Sequence, residues 1–171
     1  MKLTEQAAIV TGGGSGLGAA TAEALVKAGA RVAVLDRDGE TAMAVAARIG
    51  GLGLACDVTD PTAAAAALDQ AQAAHGIPRL LVNCAGIAPG ARIVGREGPM
   101  ALSAFEQVIR VNLIGSFNML RLVAAAMTAQ APLQDGERGL IVNTASVAAY
   151  DGQIGQAAYS ASKGGIVGLT L

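Results

Sequence analysis

The chain predicts an α/β fold: a doubly wound, Rossmann-type parallel sheet of strand order 3-2-1-4-5, with helices on both faces. Three observations support this. Short apolar runs recur at residues 7–10, 31–35, 51–56, 80–82 and 140–144, the length and character of strands buried on both faces. Alanine-rich or amphipathic helical stretches separate them, the alternation that parallel sheets require. A glycine cluster links the first strand to the first helix, where an open α/β sheet places its ligand loop. The 171 residues suffice for one domain with a real core, taken as 1–171.

The first strand leads into Thr11-Gly12-Gly13-Gly14-Ser15-Gly16-Leu17-Gly18, and a helix then runs to Lys27 with Gly29 as its stop. Strand, glycine loop and helix together make a dinucleotide-binding turn. Glycines allow a tight turn and close approach of a pyrophosphate, and the helix N-terminus offers free N–H groups and a positive dipole end. Gly12, Ser15, Gly16, Leu17 and Gly18 are therefore expected at the cofactor, with Ser15 near a phosphate. The second strand ends at Asp36, 18 residues after Gly18. A carboxylate there accepts hydrogen bonds from the adenosine ribose hydroxyls and repels a 2′-phosphate, so NAD is expected over NADP. Arg37 beside it is able to hold such a phosphate, and Asp36 is also placed to cap the next helix.

That helix is expected from about 38 to 49, and the third strand at 51–56. Asp57-Val58 follows at the strand's C-terminal end, where Asp57 reads as an adenine contact or as a plain loop acid. Asp60-Pro61 opens a helix that ends at Gly76, and the single histidine, His75, is expected on the surface of its last turn. The fourth strand leads to Asn83-Cys84-Ala85-Gly86, whose small residues suit the nicotinamide ribose, with Asn83 expected to tie strands together. Residues 87–102 read as a loop bordering a substrate pocket or an interface. Ser103-Ala104-Phe105-Glu106 reads as a capping box for a long helix with Asn112 buried among apolar neighbours, holding a kink or a water. The fifth strand, 140–144, is followed by Ser146, and a last helix runs from about 158 to the terminus. Gly164-Gly165 within it implies close approach to another helix, from this chain or a second subunit.

Composition narrows the function. Net charge is −1 with scattered basic residues, and aromatics are 2%, which argues against a nucleic-acid partner. No apolar run approaches the roughly 18 residues that span a membrane. Cys56 and Cys84 lack zinc spacing and read as buried free thiols of a reducing compartment. The opening Met1-Lys2-Leu3-Thr4-Glu5 lacks the apolar core of a signal peptide, so a cytoplasmic location is expected. No metal site is expected, and the partner is a small-molecule substrate.

Tyr159-Ser160-Ala161-Ser162-Lys163 carries the chemistry. On a helix, four residues turn about 400°, so Tyr159 and Lys163 share one face. A phenol is a poor base at neutral pH, and an ammonium beside it favours the phenolate, making a proton acceptor for an alcohol. Ser146, 13 residues upstream of Tyr159, is placed to hydrogen-bond the same reacting oxygen.

Together Thr11–Gly18, Asn83–Gly86, Asn112, Ser146 and Tyr159/Lys163 resemble the short-chain dehydrogenase/reductases, over essentially the whole chain. The residues around Cys84, Ser146 and Gln153 narrow the likeness to the 3-hydroxyacyl-CoA dehydrogenase branch, also described as 17β-hydroxysteroid dehydrogenases. The resemblance implies NAD, a homotetramer when full length, and oxidation of a secondary alcohol in an acyl-CoA thioester or steroid-like substrate. It implies Asn112, Ser146, Tyr159 and Lys163 as catalytic, Asn112 through a water-mediated relay. It places Asp57, Val58, Asn83, Cys84, Ala85, Gly86, Tyr159 and Lys163 at the cofactor, and Ser146, Gln153 and Tyr159 at the substrate. In the family the last helix continues into two further strands, so the domain is expected to be C-terminally incomplete, with the natural chain extending beyond Leu171. An NADPH-linked 3-oxoacyl carrier-protein reductase and a non-catalytic dinucleotide-binding scaffold are the alternatives.

Overall fold

The computed structural model describes residues 1–170. Its main sheet comprises β1 (Ala7–Thr11), β2 (Arg31–Asp36), β3 (Leu52–Ala55), β4 (Leu80–Asn83) and, after a small hairpin β5 (Val94–Gly95) and β6 (Gly98–Pro99), β7 (Leu140–Asn143). All its pairings are parallel, in the order β3-β2-β1-β4-β7. This is the expected 3-2-1-4-5 order, with β7 as the fifth strand.

Strand alternation divides the core in two. Ile9, Ala33, Leu35 and Leu81 point to one face, and Val10, Val32, Val34 and Val82 to the other. The first group packs with α3 (Pro61–His75) and α5 (Ser116–Thr128), through Ala64, Leu68, Met119 and Val123. The second packs with α1 (Gly16–Lys27) and α2 (Gly39–Ile49), through Ala22, Ala42 and Ala46. Alanine at these positions lets helices lie close to the sheet, so a chain poor in aromatics still closes its core.

Caps fix where the helices start. Asp38, not Asp36, caps α2, accepting from Glu40 N at 3.1 Å and Thr41 N at 3.2 Å. Asp60 accepts from Thr62 N at 2.8 Å and Ala63 N at 3.1 Å to open α3. α4 (Leu102–Ile109) begins one residue before Ser103. Its cap position is Ala101, which has no side-chain acceptor, so the expected capping box does not form.

α4 continues through a π turn (Arg110–Gly115) into α5. The joined helix, Leu102–Thr128, has 27 residues and contains an 18-residue stretch of mean hydropathy 1.3. By length and composition it is apolar enough to cross a membrane, which the sequence reading did not anticipate because polar residues interrupt the run. In the fold its α5 portion packs on α3 and β4. Three further expectations shift. Residues 87–102 contain the β5–β6 hairpin. His75 is half-buried, with Nε2 enclosed and unpartnered. Gly165 of α6 (Ala157–Leu169) is close to the π turn of its own chain: a Cβ there would lie 2.7 Å from Leu113 Cδ2. Leu171, the expected end of that helix, lies outside the described residues.

Candidate active site

A cleft of about 590 Å³ opens at the C-terminal ends of β1–β4. Its floor is made largely of backbone. Gly12, at φ +62°, turns the chain out of β1, and a Cβ on it would lie 2.7 Å from Ala85 Cα. A Cβ on Gly18 would lie 2.1 Å from Gly12 O. Only glycine fits where the first turn of α1 lies this close to the strand exit. Ser15 occupies the extended cap position of α1 with no side-chain cap bond, leaving its hydroxyl and the helix N–H groups facing the cleft. Gly16 and Leu17 line the same wall.

Asp36 anchors this wall to β2. Its Oδ2 accepts from Gly14 N at 3.0 Å and its Oδ1 from Asp38 N at 3.1 Å. Each oxygen keeps acceptor capacity for a ribose hydroxyl, and Arg37 lines the cleft beside it. Cys56, Asp57 and Val58 line the next stretch. Asp57 accepts from Thr59 N at 2.9 Å. Burial, reinforced by the carboxylates of Asp57 and Asp60, pushes the Cys56 thiol up to about 11. Cys84, Ala85 and Gly86 complete the floor, and Thr11 Oγ1 accepts from the N–H groups of Cys84 and Ala85, each at 3.2 Å. Cys84 is half-buried, not buried as expected. Asn83 lies off the cleft, donating to Asn143 Oδ1 at 3.0 Å and to Ser116 O at 3.4 Å. These bonds make it the expected tie between strands, joining β4 to β7.

The far wall was missed by sequence reading. Ser103, Glu106, Gln107 and Arg110 line it from α4 and the π turn. Their i, i+3, i+4, i+7 spacing was visible, but a polar helical stripe reads as a solvated face.

Ser146, Gln153, Tyr159 and Lys163 are not among the residues lining the cleft, and buried side chains set the geometry around Tyr159 and Lys163. Lys163 is 6% exposed and donates from Nζ to Thr144 O at 2.5 Å. Its Nζ lies 5.6 Å from the Tyr159 ring centroid, so the two residues share a face of α6 as the spacing predicts. Burial lowers the lysine's pKa, and Cys84 nearby partly offsets this. Tyr159 is half-exposed. Ser146 caps the short 3-10 turn Val147–Ala149, accepting from Ala148 N at 3.2 Å. Gln153 is exposed on the following loop, which is tied to the loop after β4 through Ala91 N to Gly155 O at 2.8 Å.

Asn112, 1% exposed in the π turn, bridges three segments. Oδ1 accepts from Ile87 N at 2.8 Å, while Nδ2 donates to Ile87 O and to Ser162 Oγ, each at 2.9 Å. Both amide hydrogens are thus committed. The amide sits in a π turn, and the partners it finds there are protein groups.

The glycine contacts and the unused acceptors of Asp36 fit a dinucleotide laid across the sheet edge. A phenol beside a buried ammonium fits proton exchange with an alcohol or carbonyl. Among the described residues no group of three or more His, Cys, Asp or Glu is placed to hold a metal.

The family model for short chain dehydrogenases matches residues 6–171. The 3-hydroxyacyl-CoA dehydrogenase type-2 of Bos taurus is 51% identical over 96% of this chain and 64% of its own length. The Homo sapiens protein of that name is 48% identical over the same shares. The crystal structure of 3-hydroxyacyl-CoA dehydrogenase type-2 from Mycobacterium avium superposes with a TM-score of 0.90 at 40% identity, covering 97% of this chain and 66% of that one. The chain therefore spans somewhat under two thirds of the length of these curated relatives.

Proposed function

This chain belongs to the short chain dehydrogenase family, and on that premise we propose that it is an NAD-dependent oxidoreductase interconverting 3-hydroxyacyl-CoA and 3-oxoacyl-CoA. The observation that carries the chemistry is the buried Lys163 ammonium beside the Tyr159 ring. The names of the relatives support the acyl-CoA substrate. The unused acceptors of Asp36 support NAD.

Asp36 holds the adenosine ribose, the turn from Gly12 to Gly18 with Ser15 holds the pyrophosphate, and Cys84–Gly86 with Lys163 border the nicotinamide ribose. When bound, the cofactor supplies the hydride acceptor. Ser146 donates a hydrogen bond that orients the substrate oxygen. Tyr159, as phenolate, takes the hydroxyl proton during oxidation and returns it during reduction. Lys163 brings its positive charge to within 5.6 Å of the phenol ring. Asn112 supports a water-mediated relay by holding its walls in place, since its amide hydrogens are already committed. Gln153, on the exposed loop before α6, borders the acyl group. We further propose a homotetramer in a cytoplasmic setting, which the free thiols Cys56 and Cys84 suit.

The test is NADH formation from a short 3-hydroxyacyl-CoA, compared with NADPH formation. We expect kcat/KM to favour NAD by at least tenfold, and Asp36→Ala to narrow that gap mainly through KM. Equal use of both cofactors by the wild type would overturn the role of Asp36. A preference for NADPH would favour Arg37 and the carrier-protein reductase. No turnover despite dinucleotide binding would favour the scaffold.

A further inference from the structure

Ser162 is completely buried, in the helix turn between Tyr159 and Lys163. Its Oγ accepts from Asn112 Nδ2 at 2.9 Å and donates to Tyr159 O at 2.7 Å. A serine that only filled space inside a helix would need no partner outside it, and this one has a partner 50 residues away. Through Asn112 the chain of bonds continues to both backbone groups of Ile87, which borders the cofactor cleft. A single hydroxyl therefore links the helix that carries Tyr159 and Lys163 to the wall of the cleft. Three residues further along α6, Gly165 lies against Leu113 of the same π turn, with no space for a Cβ. The two contacts act differently. The Gly165 contact is steric and sets how close α6 lies to the turn. The Ser162 bonds are directional and set its rotation and axial position.

We infer that Ser162 is a positioning residue: its hydroxyl holds the Tyr159–Lys163 face of α6 in register with the cofactor cleft by bridging Asn112 to the Tyr159 backbone. This rests on the proton-transfer role proposed for Tyr159. The coupling between ammonium and phenol depends on their separation and on the environment each faces. With the bridge gone, α6 is free to rotate or slide slightly, and the 5.6 Å separation of the Lys163 ammonium from the Tyr159 ring changes with it. Reactive geometry also suffers, since a misplacement of about 1 Å costs on the order of 100-fold in rate.

The test compares wild type, Ser162→Ala, Ser162→Thr and Tyr159→Phe in pH–rate profiles of NADH formation from a short 3-hydroxyacyl-CoA, with thermal melts and NAD affinity measured alongside. Ser162→Ala is expected to lower kcat about 10- to 100-fold and to move the acidic limb of the profile towards higher pH. KM for NAD should change less than threefold. Ser162→Thr keeps the hydroxyl and is expected to restore the position of the limb. A Ser162→Ala protein with reduced melting temperature but an unshifted limb and near-normal kcat would overturn the inference, since a merely structural role does exactly that and no more. If Ser162→Ala does not fold, Ser162→Cys, close in volume with a weaker hydrogen-bonding group, takes its place. It must then show a limb moved towards higher pH than that of wild type, and an unshifted limb again overturns the inference. If Tyr159→Phe retains activity, the proton-transfer reading itself fails, an outcome separable from a failure at Ser162 alone.

Discussion

At Gly18 one added methyl carbon would lie 2.1 Å from Gly12 O, whereas at Ser162 one removed oxygen would break two hydrogen bonds. The end proposed for the dinucleotide is shaped by atoms that are missing, so that backbone lies against backbone. The region proposed for proton transfer is shaped by buried polar side chains whose bonds are nearly all internal: Asn112, Ser162 and Lys163 are each at most 6% exposed and each is hydrogen-bonded. The difference has a physical cause. A pyrophosphate is recognised by N–H groups and a helix dipole, which the backbone provides wherever side chains do not obstruct it. Proton transfer needs a group of tuned pKa at one point in space, which only positioned side chains provide. The two ends should therefore fail in opposite ways: the first on adding atoms, the second on removing them.

The largest expected effect lies at the side-chain end. Tyr159→Phe removes one oxygen and keeps the ring, so kcat should fall by about 10²–10⁴ with NAD affinity nearly unchanged. Lys163→Ala should lower kcat and also weaken NAD. It should not lower thermal stability in proportion, because it removes an ammonium that burial penalises. Parallel pH–rate profiles and fluorescence titrations with NAD check both. A Tyr159→Phe enzyme with near-normal turnover would break the comparison at this end.

The backbone end should respond to addition. Gly18→Ala forces a methyl group against Gly12 O, a cost at or above the upper end of the about 1–3 kcal/mol typical of overpacking. Dinucleotide affinity should fall more than a hundredfold. Gly50→Ala is the control: it has φ +73° and nothing within 4 Å, so its cost of about 1 kcal/mol comes from backbone conformation alone and NAD binding should be unchanged. Urea midpoints and NAD titrations separate the two. If both variants bind NAD like wild type, close backbone approach is not what makes the cleft.

The same difference explains what could be read without coordinates. The positions of Gly12–Gly18, Asp36 and Tyr159/Lys163 were legible because they follow from residue type and short spacing. The five strands were legible because each is a short, largely apolar run between helical stretches. Asn112 could be recognised as a buried amide, but its partners Ile87 and Ser162 lie 25 and 50 positions away, and no local pattern encodes such a bond. The π turn leaves no periodic signature in a helix that is otherwise continuous. Ser103 was misread as a cap because the capping-box pattern was matched to an interior stretch, while Ala101 takes the cap position without a side-chain bond. Gln107 and Arg110 drew no reading because a wall facing an open cleft has the composition of a surface.

The smallest effect sharpens the comparison through pH. Cys56 lies on the dinucleotide side of the cleft, 3% exposed, with its thiol pushed up to about 11 by burial and the adjacent carboxylates. In the unfolded chain it titrates near the ordinary value of 9.0. Between these values the unfolded chain has lost a proton that the folded chain keeps. Stability contributed by Cys56 is therefore complete below about pH 9 and is lost as pH rises towards 11. Lys163 has the opposite sign, because burial depresses its pKa and the unfolded chain holds the proton longer, so its contribution rises with pH. Wild type and Cys56→Ala, compared by urea midpoint from pH 8 to 10.5, should differ by a constant cavity cost up to about pH 9, and the gap should narrow above it. A gap that stays constant to pH 10.5 would mean that solvent reaches the Cys56 thiol and that this side of the cleft is less closed than its backbone packing implies.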